Sequence, residues 1–185
     1  FSLSIARFSS GGEIFLSAAS TISPVDKTEE KRYIVVYKNR EVFTMFDSTR
    51  QFIQAMDAKN IKHSDIETTE SGKEAVTVTY TGDSMPSVRM RFFFNSDCED
   101  VAIRVFDIVK IPDSKVDGFF KEVNAANQRF RFFKFVLDTD DNTVQAEMDA
   151  AFRTHDVGEI CLELMIRCVD ICDKAYPDFM KALWA

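Results

Sequence analysis

Three stretches of alternating apolar and polar residues follow one another on short links. Val76, Val78 and Tyr80 alternate with Thr77 and Thr79, and a turn over residues 81–86 follows. Val88, Met90, Phe92 and Phe94 then alternate with Arg89, Arg91 and Phe93. A second turn, over 96–100, leads to a strand over 101–109. Alternation of period two sends successive side chains to opposite faces of a sheet. Links of a few residues force antiparallel pairing, since a parallel pair needs a crossover of about a dozen residues. A second hairpin is predicted over 129–137 and 144–152 around the Asp- and Asn-rich link 138–143. In its second arm Val144, Ala146, Met148, Ala150 and Phe152 face one way, and Gln145, Glu147 and Asp149 the other.

Helical spacing fills the intervals. Ser48 and Gln51 read as a capping box opening a helix that buries Phe52, Ile53 and Met56 and ends near residue 60. Pro112 and Ser114 open a second helix, on which Val116, Phe119, Phe120 and Val123 recur at i, i+3, i+4 and i+7. A long final helix puts Val157, Ile160, Cys161, Leu164, Cys168, Ile171, Cys172 and Ala175 on its core side, and Pro177 is expected to break or restart it. A short strand over 66–69, with a turn at 70–73, makes the order α-β-β-β(-β)-α-β-β-α. The expected fold is α+β, an antiparallel sheet with helices mainly on one face. No repeat or linker divides residues 45–185. Residues 1–44 read as an N-terminal extension, small and polar apart from strand character at 33–37, and the initial Phe reads as a processed, tagged or truncated start.

Composition narrows the function classes. Eighteen phenylalanines against one tryptophan and four tyrosines call for a large core or an apolar interface, because Phe has no polar handle. A net charge of −7, with no run of Lys and Arg, argues against nucleic acid as a partner. No apolar run approaches the roughly 18 residues of a membrane span. The first ten residues lack a signal peptide's basic start and apolar core. The four cysteines form no CxxC pair and no disulfide framework of the secreted type. The expected setting is cytoplasmic, with no membrane partner.

The candidates for chemistry have ordinary explanations. Cys161, Cys168 and Cys172 project from one side of the last helix, with His155 nearby. Their spacing spreads them over about three turns, and core packing is the expected role. Asp138, Asp140 and Asn142 fit the first positions of a calcium loop, but Thr143 and Asp149 stand where Gly and Glu are needed. His63 and His155 have no triad pattern, and the six glycines form no phosphate loop. A non-enzymatic protein without metal or cofactor is expected. A small-molecule or metal-binding sensor is the alternative.

The element order, with particular residues, resembles the YbjN-like family of bacterial sensory-transduction regulators, whose fold is that of type III secretion chaperones. The resemblance spans about residues 46–184. It rests on the helix-to-strand run 116–148, in which Asn124, Asn127, Leu137 and Asp138 occupy the family's turn and strand-end places, and on Tyr176-Pro177 with the aromatic tail 179–184. It implies a protein-binding or regulatory role, often as a homodimer, and contributes no catalytic residues.

Two surfaces follow. Opposite the helices, Arg89, Arg91, Phe93, Arg104 and Phe106 form an expected partner-binding face of the kind protein interfaces favour. Alternatively, Phe93 and Phe106 are covered by the first 44 residues or by a loop. On the second helix, Val116, Phe119, Phe120 and Val123 are either core or, by analogy with secretion chaperones, part of a homodimer interface.

Overall fold

A computed structural model describes residues 5–8, 14–16, 33–36, 42–152 and 156–185. Among these residues are two antiparallel sheets and three α-helices. In the first sheet β1 (Ile5–Phe8), β2 (Ile14–Leu16), β3 (Tyr33–Val36) and β4 (Val42–Met45) run in the order β2-β1-β3-β4. After Phe46 comes α1 (Asp47–Ala58). The second sheet holds β5 (Glu67–Thr68), β6 (Glu74–Tyr80), β7 (Val88–Phe94), β8 (Asp100–Lys110), β9 (Lys134–Asp138) and β10 (Thr143–Ala151). Between β8 and β9 lies α2 (Val116–Arg129), and α3 (Val157–Trp184) follows β10.

From α1 onward the chain is α+β with an antiparallel six-stranded sheet, in the element order the sequence predicts. The strand order is β5-β6-β7-β8-β10-β9, and every neighbouring pair is antiparallel. The chain therefore leaves β8, crosses through α2 to β9 at the outer edge, and turns back on β10 between β9 and β8. The long second link permits this skip, which the short links before β8 do not.

One core lies between the helices and a single face of this sheet. Val76, Val78, Met90, Phe92, Phe94, Val101, Ile103, Val105 and Ala146 are buried there, as the alternation demands. Phe52 of α1 stacks 4.5 Å from Phe92 and 5.8 Å from Phe94. Phe179 of α3 joins α2 to the sheet, with its ring 5.9 Å from Phe119 and 5.0 Å from Phe135. Such pairs contribute roughly 0.5–1.5 kcal/mol each beyond area burial. At the crossing of α1 and α3, Gly158 lies so close to α1 that a Cβ would stand 2.7 Å from the Gln51 carbonyl oxygen.

Four local expectations are corrected. The Ser48 capping box does not form: α1 starts at Asp47, Ser48 is buried in its first turn, and the Gln51 amide donates to Asp47 at 2.8 Å. The acceptor at this helix start comes from β6, where both Glu74 carboxylate oxygens accept the Phe46 N–H at 3.0 and 3.1 Å. Second, α2 runs on through Arg129, so the strand predicted from 129 begins only at Lys134; the Phe130 N–H still donates to the Ala126 carbonyl. Third, α3 is not broken at Pro177. The proline forfeits one backbone bond, while Phe179 beyond it is fixed in the core. Fourth, the predicted strand 66–69 shortens to two residues.

Candidate functional site

The helices use one face of the six-stranded sheet, and the other carries the residues singled out from sequence. Register sets them in rows. Thr77, Arg91, Arg104, Glu147 and Lys134 stand across neighbouring strands in one row. Ala75, Phe93, Ala102 and Asp149 form a second. Arg89, opposite Thr79, and Phe106 lie one step beyond the buried Met90–Val105 pair.

The five residues are not equivalent. Arg89 is exposed and has no ion-pair partner among the described residues. Arg91 donates to Glu67 at 2.5 Å and lies 5.2 Å over the Phe93 ring, so its charge is partly engaged. Phe93 is half-buried. Arg104 is not a free docking cation, since it pairs with Asp149 at 2.7 Å and donates to the Met148 and Ile103 carbonyls at 2.9 Å. Its role is to tie β8 to β10, because its row places it directly against Glu147. Phe106 is 37% exposed, beside a bulge where Asp107 has φ 56° and the β8–β10 register shifts. Val136 of β9, 40% exposed, was missed, because the strand predicted at 129–137 had no assigned faces.

The α2 candidates divide between core and surface. Phe119 and Val123 are buried within the subunit, Val116 is half-buried, and Phe120 alone is exposed, at 48%. Any surface for a second copy on this stripe is therefore Phe120 and its polar neighbours.

The sensor candidates are taken up by structure. Cys161, Cys168 and Cys172 are buried and free, and burial pushes the Cys161 and Cys168 thiols well above their ordinary range. Asp138 accepts the Asp140 N–H and the Gln145 amide, Asp141 accepts the Thr143 N–H and hydroxyl, and Asn142 donates to Asp113. Internal bonds thus account for the acidic loop. No group of three or more His, Cys, Asp or Glu stands close enough to hold a metal among the described residues. His63 bridges the Ser64 carbonyl, 2.7 Å away, and Asp57, at 3.4 Å; His155 lies outside the described residues. An open groove of about 410 Å³ between α2 and α3 is floored by Ala125, Ala126 and Ala182 and crossed by the Arg129–Asp178 pair.

One buried acid was not singled out from sequence. Glu74, the first residue of β6, is 2% exposed and reaches the start of α1 through the Phe46 N–H. Burial pushes its carboxyl above the ordinary range, against the opposing pull of the Thr49 side chain and the Phe46 N–H. A signal existed, since residue 74 falls in the inward phase of the Val76–Val78 alternation.

Among the described residues no helix is long and apolar enough to cross a membrane. No protein-family model matches the chain, and no curated protein matches it significantly.

Proposed function

We propose that the chain is a non-enzymatic protein-binding or regulatory domain of the YbjN-like, secretion-chaperone-like kind, with the helix-free face of its sheet as the docking surface. One observation carries this reading: the face opposite the helices holds an exposed Arg89, without an ion-pair partner among the described residues, beside an exposed Phe106. An aromatic side chain and an arginine held on rigid strands are the groups from which binding hot spots are built. Arg104 is held by Asp149 and Glu147 and Arg91 is shared with Glu67 and Phe93, which leaves Arg89 beside Phe106 as an arginine with no acidic partner among the described residues. The occupant that fits is an apolar protein segment carrying a carboxylate.

An array of apolar peptides flanked either by Asp and Glu or by Lys and Arg tests this. Retention on the acidic set is expected. Arg89→Glu and Phe106→Ala should each weaken it about tenfold or more, the loss of one hot-spot contact, with the melting temperature unchanged. Equal retention on both sets, or no effect of either variant, would refute the assignment of this face.

A further inference from the structure

The two edges of the six-stranded sheet differ. On one side β5 is two residues long, and the backbone of Ser64 and its hydroxyl engage Thr77 of β6 just beyond it. On the other, β9 is five residues long and contains no proline or bulge. An edge of this kind is a template for another strand unless something blunts it.

Asn127 of α2 does so. Its side-chain Nδ2 donates to the Phe135 carbonyl at 2.9 Å, and its Oδ1 accepts the Phe135 N–H at 2.7 Å. One amide therefore satisfies both backbone groups that Phe135 turns away from β10, as a neighbouring strand would. Lys134 holds the last turn of α2 over this edge by donating to the Asn127 and Phe130 carbonyls.

The strand so covered is complementary to itself. Its sequence is Lys134, Phe135, Val136, Leu137, Asp138. Antiparallel pairing about a two-fold axis at Val136 sets each Lys134 opposite Asp138 of the other copy, each Phe135 opposite Leu137, and Val136 opposite Val136. Since Phe135 turns its N–H and C=O outward, Leu137, two residues on, does likewise. The Phe135–Leu137 pairs are thus the ones able to exchange hydrogen bonds. Charge, apolar contact and hydrogen-bonding phase all agree in this one register. We propose that the outer edge of β9 is a latent pairing site for the same edge of a second copy of this chain, held closed by the Asn127 amide.

This inference does not depend on the docking face, and it is tested by solution mass. Asn127→Ala is expected to double the mass relative to the unsubstituted chain at equal concentration. It should also slow hydrogen exchange at the Leu137 amide as concentration rises. Adding Val136→Lys should restore the original mass, because two lysines would then face each other across the axis. Should Asn127→Ala fail to fold, Asn127→Leu removes both the donor and the acceptor while keeping the side-chain volume, and the same doubling is expected. An unchanged mass in a folded variant would overturn the proposal. So would a doubled mass that survives Val136→Lys, since the association would then lie elsewhere.

Discussion

Glu74 and Asp173 are two carboxylates whose environments push them in opposite directions. Burial raises Glu74 from an ordinary value of 4.5. A raised acid binds more protons folded than unfolded, so its effect favours folding at low pH and is lost as pH climbs from 4.5 through the raised value. Asp173 of α3 accepts the Met85 and Ser84 N–H groups at 2.8 Å, which hold it below its ordinary 3.8. Its contribution is complete above pH 3.8 and disappears as pH falls through the lower folded value. Thermal melts between about pH 3 and 7 should separate them. Asp173→Asn should lower the melting temperature at neutral pH and flatten the acid limb. Glu74→Gln should remove the decline above 4.5. A Glu74→Gln profile parallel to that of the unsubstituted chain would contradict this account. The sequence shows both acids, but the partner of each lies far along the chain, about 28 residues away for Glu74 and 88 for Asp173.

Among the elements, strands were more legible than helix ends. Alternation fixed which side of β7 and β8 enters the core, because one residue of slip would bury Arg89 and expose Phe92. Helix termini depended on contacts no local pattern encodes. The start of α1 uses an acceptor from β6 in place of Ser48, and α3 continues through Pro177 with Phe179 anchored beyond it. Gly158 shows the same dependence. Alanine normally favours a helix over glycine by up to about 1 kcal/mol. Here a Cβ would meet the Gln51 carbonyl at 2.7 Å and the Ala55 methyl at 2.8 Å. Overpacking of this kind costs roughly 1–3 kcal/mol. Gly158→Ala should therefore lower unfolding free energy in urea by about that amount, less the propensity gain. A stabilised variant would mean that α1 and α3 can separate at little cost.

For the whole molecule, the buried cluster runs from Phe52 to Phe179 and draws on α1, α2, α3 and every strand from β6 to β10. The Phe46 N–H, just before α1, is held by Glu74 of this unit. A chain beginning at Met45 should therefore melt as cooperatively as the full one, with a midpoint within a few degrees, because among the described residues the cluster and the side chains packed on it all lie within 46–183. Loss of the cooperative transition would place residues before 45 in the folding unit. The same architecture explains how the surfaces arise. Three helices gathered on one side leave the other face of the six-stranded sheet free of helices among the described residues; cover of Phe93 and Phe106 by the first 44 residues lies outside what is described.

What the sequence determined alone is whatever depends on period and link length: strand identity, antiparallel pairing, the face each side chain takes and the apolar side of each helix. These follow from geometry repeated every two or 3.6 residues. Tertiary structure alone decided which arginines remain available. Arg89, Arg91 and Arg104 occupy the same phase of alternation, yet only the approach of β5 and β10 supplies the Glu67 and Asp149 that neutralise two of them. It decided equally that β10 enters between β8 and β9, leaving β9 as an edge, and that Asn127 closes that edge. Such outcomes depend on which distant segments meet, a property of the assembled chain that no local periodicity contains.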